Sequence, residues 1–238
     1  MPPSQNLLLA SLSAPDRALL APHLVPLTLS IRQSLEKPEQ TIEDVYFPES
    51  GIVSIVAQSP KGDEIEAGIV GREGMTGLAI VMGNHQSPHQ CYGQVGGEGL
   101  SLNANRLRAA IAASPSLHRH MLLFAQVFMT QISQTALANG RSNITERLAR
   151  WILMASDRLG SNEVNLTHEF LAVMLGVRRP GVTIALHLLE EQETISAARG
   201  VISIVDRRKL EAASRGSYGV TEAHYARLFP TDAPAAAA

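Results

Sequence analysis

The chain has one cysteine, Cys91, in 238 residues, so no internal disulfide can close and no multi-cysteine zinc or iron–sulfur site can form within it. Aromatic residues are scarce at 4%, and the single tryptophan, Trp151, reads as core. Charged residues reach only 18%, with a net charge of −2, while 45% are apolar, a balance that argues against disorder. No apolar run approaches the length of a membrane span, and no charged-then-apolar leader opens the chain, so a soluble, cytoplasmic protein is expected. Catalytic apparatus is missing too. There is no nucleophile–base pair, phosphate loop or metal motif, and residues 45–70 hold no histidine for a metal-dependent barrel enzyme. The expectation is a non-enzyme with no evident cofactor.

Charge is unevenly placed. Residues 1–139 carry eight Lys/Arg against eleven Asp/Glu, residues 140–210 carry ten against eight, and the remainder two against three. That polarity permits nucleic-acid binding without demanding it, and a dimer would double the basic surface.

Four stretches are expected in order: residues 1–115, 116–139, 140–215 and a tail, 216–238. Residues 1–10 look like a loose terminus, and Ser13 caps a short helix beginning near Pro15 and Asp16. From Leu27 to Leu102 the chain alternates in short runs, Thr28–Ile31, Val45–Phe47, Ile52–Val56 and Glu64–Val70. Turn signals such as Pro48-Glu49-Ser50-Gly51 and Ser59-Pro60-Lys61-Gly62-Asp63 separate them. Short strands at regular spacing predict an antiparallel barrel or roll. Ser101–Ala113 reads as a short helix. Residues 116–139 lack proline and glycine and form one long apolar helix, with Leu117, Met121, Phe124, Phe128 and Ile132 at helical spacing. So apolar a helix must bury more than one face, and those five residues are the expected homodimer face. The alternative is a helix buried wholly inside its own domain. Gly140 reads as a hinge, and Asn143 caps a helix from Ile144 to Leu159.

The most informative stretch is Leu166 to Glu190. Thr167 is a good N-cap, Glu169 sits in the first turn, Ala172 is small where two helices would cross, and Gly176 marks the turn. A second helix starts near Arg178, with Pro180 in its first turn where no hydrogen bond is lost. If Val182, Ala185, Leu186 and Leu189 pack inward, the outer face presents Arg179, Thr183 and His187. This is the spacing of a helix-turn-helix, and that face suits a DNA major groove. The plain alternative is a helical hairpin with solvated arginines. Thr194–Ala198 and Val201–Val205 then flank Arg199-Gly200 as a hairpin, a wing whose tip puts Arg199 near a phosphate. Candidate DNA-binding residues are therefore Thr167, Arg178, Arg179, Pro180, Thr183, His187 and Arg199.

A glycine-rich roll, a long helix and a winged helix-turn-helix together resemble the Crp/Fnr family of bacterial transcription regulators. The carrying residues are Val45–Gly51, Val70–Met75, Glu146-Arg147-Leu148-Ala149 and Leu166–Thr183, and the likeness covers roughly residues 20 to 212. The resemblance implies an α+β chain: an N-terminal antiparallel β-roll like a cyclic-nucleotide-binding domain, a long dimerisation helix and a C-terminal winged helix-turn-helix. It implies a homodimer on palindromic double-stranded DNA, an effector in the roll, and room for RNA polymerase as a further partner. Arg179 matches the family's base-contacting arginine. Pro180 and Ile184 stand where cyclic-AMP-responsive members carry a glutamate and a second arginine, so a different target sequence is implied.

The roll departs further from the family. Members that bind cyclic nucleotides hold the phosphate with an arginine, and here no arginine occurs from Glu73 to Asn105. The effector-pocket residues implied by position are Gly71, Glu73, Gly74, Met75, His89 and Gln90. His85, His89 and Cys91 could ligate a metal, but their loop spacing favours solvated histidines, and nothing beside Cys91 lowers its pKa. The rival function is a non-DNA regulatory module that uses the roll for a ligand.

Overall fold

The computed structural model describes residues 4–166, 168–198 and 200–230. Two short helices open it, α1 (Leu7–Ala10) and α2 (Ala14–Leu20). The loose terminus expected for residues 1–10 is corrected from Ser4 onward. Leu8 and Leu9 are buried, and the Asn6 amide donates to the carbonyls of Pro48 and Gly74, both at 2.8 Å. Three consecutive leucines gain more by burial than by solvation. Ser13 caps α2 as expected.

Seven strands follow: β1 (Val25–Leu29), β2 (Ser34–Glu36), β3 (Asp44–Pro48), β4 (Ile52–Gln58), β5 (Glu64–Val70), β6 (Gln90–Val95) and β7 (Gly97–Asn103). They form two antiparallel sheets, ordered β1-β7-β3 and β2-β6-β4-β5. Leu29, Phe47 and Leu102 of the first sheet share one core with Val53, Val70 and Cys91 of the second. A short helix, α3 (Leu78–Val81), interrupts the roll, and α4 (Ala104–Ala113) leaves it. The helix expected from Ser101 starts three residues later. Ser101–Asn103 pair with β1 and β3, and Asn103 caps α4.

The long helix α5 (Pro115–Arg141) runs unbroken through Gly140, so the hinge expected there is corrected. The break falls at Ser142, where Asn143 and Glu146 form the capping box of α6 (Ile144–Leu159). By length and composition α5 could cross a membrane, which corrects the expectation that no run is long enough. Its side chains show a core helix instead. Leu117, Met121, Phe124 and Phe128 are buried against the roll of their own chain, so the dimer face expected on them is turned inward. Ile132 is half-buried, and the exposed large apolar residues of α5 are Leu122, Met129 and Leu137. Phe124 presses so closely on the roll that a Cβ on Gly74 would lie 2.0 Å from its Cζ. Gln131 closes the free edge of the four-stranded sheet: its side chain accepts from Ile69 N–H at 2.7 Å and donates to Ile69 C=O at 3.1 Å.

The C-terminal part holds α6, β8 (Glu163–Asn165), α7 (His168–Leu175), α8 (Arg179–Glu191), β9 (Ile195–Ala198), β10 (Val201–Ile204) and α9 (Arg207–Ala213). A last helix, α10 (Val220–Leu228), lies in the stretch expected to be a tail. It folds back on α5. Thr130 and His224 are hydrogen-bonded at 3.0 Å, and Phe229 stacks on Tyr225 and meets His120 edge-on.

The roll and the C-terminal part are joined through β4 and β5. Val53 and Val70 point into the roll, while Ile52 and Ile69 belong to the core of Trp151, Leu171 and Leu189. Between these apolar contacts lies Glu66, 5% exposed. Its carboxyl accepts from Ser54 Oγ at 2.6 Å and from Trp151 Nε1 at 2.8 Å. Burial pushes its pKa up from 4.5 to about 7, against the smaller lowering by those two hydrogen bonds and by the charges of Arg158 and Arg150. The folded protein thus keeps a proton on Glu66 that the unfolded chain releases above about 4.5. Stability is expected to fall as pH rises from about 4.5 through about 7, and Glu66→Gln should remove that part of the slope in urea unfolding followed against pH.

Candidate DNA-binding site and sensor cavity

Helices α7 and α8 are turned 103° from one another, within the range of a helix-turn-helix. The turn depends on Gly176, whose φ of +60° is left-handed and suits a residue without a Cβ. Val177 N–H reaches back to Ala172 C=O at 2.9 Å and Gly176 N–H to Val173 C=O at 3.1 Å, closing the end of α7. Arg147 of α6 completes the closure by donating from Nη2 to the Leu175 carbonyl. Val182, Ala185, Leu186 and Leu189 are all buried against α6, as the inward face requires.

The outer face starts at the N-terminus of α8. Arg178, Arg179 and Pro180 are exposed, and neither arginine side chain has a hydrogen bond or ion pair among the described residues. His187 is exposed and lies 3.5 Å from Glu190. Thr183 is half-buried, and its hydroxyl is occupied: it bonds to His168 Nδ1 at 3.1 Å and donates to Arg179 C=O at 3.3 Å. His168, which sequence patterning does not single out, thereby couples the two helices. Ile184 is 61% exposed beside the arginines, an apolar residue with no packing reason to face solvent.

The hairpin β9–β10 follows directly and is extended by β8 to a three-stranded sheet. Glu190 Oε1 accepts from Ala197 N–H at 2.7 Å, so the end of α8 is fastened to the wing. Arg199 and Thr167, both expected at the DNA from the sequence, lie outside the described residues.

The roll contains a cavity of about 280 Å³ closed on one side by Ala125, Phe128, Met129 and Ile132 of α5. Of the six residues expected at an effector pocket, Met75 and His89 line it. The others do not. Gly74 packs on Phe124, Gly71 on Arg158, and Glu73 forms an ion pair with Arg158 Nε at 2.9 Å. Gln90 lies on the face of the sheet near Arg32 and Phe170. Position in the sequence missed this because the 71–74 turn faces α5 and α6, away from the cavity. Among the described residues no lysine or arginine lines the cavity. Its one carboxylate, Glu36, accepts from Gly77 N–H at 2.7 Å and has its pKa raised by burial. Cys91 is buried, and that burial holds its thiol well above the usual range, so it is no ready thiolate.

Residues 146–213 match the Crp-like helix-turn-helix domain. The C-terminal part is a Crp-like DNA-reading domain. Over about four fifths of its length the chain has the fold of solved Crp/Fnr transcription regulators. It is similar to FixK2 from Bradyrhizobium japonicum, with a TM-score of 0.70 and 16% identity over 80% of this chain and 96% of that one. A CRP-family transcriptional regulator from Thermus thermophilus superposes with a TM-score of 0.67 and 16% identity over 81% and 98%. The regulator CLP of Xanthomonas campestris, described as responsive to c-di-GMP, gives 0.65 and 16% over 81% and 99%. No curated protein matches by sequence. The Crp-like match ends at Ala213, so α10 lies beyond it.

The Arg147 clamp is the polar contact on which the turn of the Crp-like domain leans. Arg147→Met keeps most of the stem volume but leaves the Leu175 carbonyl without its charged donor. A loss of about 1.5–3 kcal/mol in unfolding free energy is expected by urea titration.

Proposed function

We propose that the protein is a homodimeric, sequence-specific DNA-binding regulator of transcription. The observation that carries this is the exposed start of α8, where two arginines stand without internal partners on a helix fixed from behind by α6 and from the side by the wing. An arginine held in this way can pair with both acceptors of a guanine, and Ile184 offers an apolar contact to a thymine methyl. Arg178 suits phosphate, and Arg199 and Thr167 are proposed as phosphate contacts by their places in the chain. Thr183 acts chiefly through its bond to His168 and holds α8 in register. Helix α5 supports the dimer, through the exposed Leu122, Met129 and Leu137 and not through the buried phenylalanines. Two readers related by a twofold axis would require palindromic half-sites about one helical turn apart. No cofactor is needed for this role, and contact with RNA polymerase fits a regulator so placed.

The roll cavity is the proposed effector site of that sensor. Its walls are mostly apolar, and among the described residues it has one carboxylate, Glu36, and no lysine or arginine to neutralise a phosphate. An uncharged effector fits it better than a cyclic nucleotide held through its phosphate.

Replacing Arg179 with Ala should weaken binding to the selected operator by about 1–3 kcal/mol and relax the base preference at one position per half-site. Fluorescence anisotropy on operator and random duplexes checks this, and an equal loss on both would reduce Arg179 to a phosphate contact. Leu137→Glu puts a charge on the exposed stripe of α5 away from the roll cavity. Monomers are expected by sedimentation velocity, and an intact dimer would move the interface off this face.

A further inference from the structure

A second cavity lies on the opposite side of α5, where the roll, α5, α6 and α10 meet. It holds about 310 Å³ and exists because α10 roofs it. Leu7, Phe124, Val127 and Phe128 give it apolar walls. Its polar rim is rich in charge, and nearly all of that charge is already matched. Glu73 faces Arg158 at 2.9 Å, and Asp157 takes Arg207 at 2.7 Å together with the Tyr218 hydroxyl. Glu222 accepts from Gly219 N–H and faces the charge of Arg150.

Two groups on the rim are left over. The Arg72 guanidinium makes no hydrogen bond or ion pair among the described residues. It lies against the end of α6, where a Cβ on Gly160 would come within 3.4 Å of Nη2. The Tyr225 hydroxyl is buried with no hydrogen-bond partner among the described residues, and the charge of Arg72 is felt at its phenol. A buried hydroxyl left unpaired is costly, and native structures seldom keep one without a reason. A cation and a hydroxyl donor, both unengaged, over aromatic and aliphatic walls are complementary to a carboxylate carried on an apolar body.

We propose that this cavity is a binding site for a small carboxylic acid with an aromatic or aliphatic body, its carboxylate held by Arg72 and Tyr225. At about 30 Å³ per water-sized group the space accepts roughly ten non-hydrogen atoms. The site is distinct from the roll cavity: α5 stands between them, with Phe128 touching both, Phe124, Val127 and Gln131 facing this one, and Ala125, Met129 and Ile132 the other. A ligand here touches the roll through Arg72, the long helix through Phe124, the Crp-like domain through Arg158 and the C-terminal helix through Tyr225. It would therefore act on the joint between sensor and reader. That regulatory consequence rests on the proposed function; the binding itself does not.

The test is calorimetric titration of the full-length protein with phenylacetate and octanoate, with the neutral isostere phenylacetamide alongside. Saturable binding of one acid per chain is expected, at least tenfold tighter than the amide. Arg72→Gln should weaken it by about tenfold to a hundredfold, and Tyr225→Phe, which keeps the stacking on Phe229, by a smaller factor. The proposal is overturned if neither acid saturates, if acid and amide bind alike, or if folded Arg72→Gln binds as the parent does. Because no DNA is present, an acid that binds while no operator can be selected would sink the regulator reading and leave this one standing.

Discussion

Strands β4 and β5 serve two cores at once, and the rest of the molecule is arranged by that constraint. On one side Val53 and Val70 complete the interior of the roll; on the other Ile52 and Ile69 enter the interior of the Crp-like domain. A strand alternates its side chains between faces, so a sheet that is apolar on both must be covered on both. Here the second cover is the DNA-reading domain itself. The roll cannot shift this sheet without moving the surface on which α6 and α7 rest.

Glu66 makes the same junction selective as well as sticky. A carboxyl in an apolar interface is costly unless its hydrogen bonds are met; Ser54 supplies one within the sheet, and Trp151 supplies the other only in the docked arrangement. The tryptophan is therefore more than filler: its ring packs in one core and its N–H reads the neighbouring sheet. Gln131 does similar work farther along, tying α5 to Ile69 at the edge of β5. Polar contacts set the register that apolar contacts alone would leave free to slide.

The geometry also separates two faces of α5 that periodicity merges. Leu117, Met121, Phe124 and Phe128 recur at helical spacing and are consumed by the chain's own roll. The flank near Val127 and Thr130 is covered by α10, and the stripe at Leu122 and Met129 is exposed. A single helix thus meets the roll core, a C-terminal helix and two cavities. An apolar residue on it carries no label saying which neighbour it meets.

What the sequence determined by itself was local. Capping at Asn143, the left-handed turn at Gly176, proline in the first turn of α8 and the alternation of Glu64–Val70 each depend on neighbours a few residues away, so helix-turn-helix, wing and roll are legible in the sequence. The four inward positions of α8 followed from the same period. What only the tertiary structure decided were the meetings of residues far apart in the chain. Trp151 finding Glu66, Arg158 finding Glu73 and α10 finding α5 join segments separated by dozens of residues, and no short-range pattern encodes such partners. The 71–74 turn was misplaced for the same reason: its sequence specifies a tight bend, but which cavity that bend faces is set by the helices packed against it.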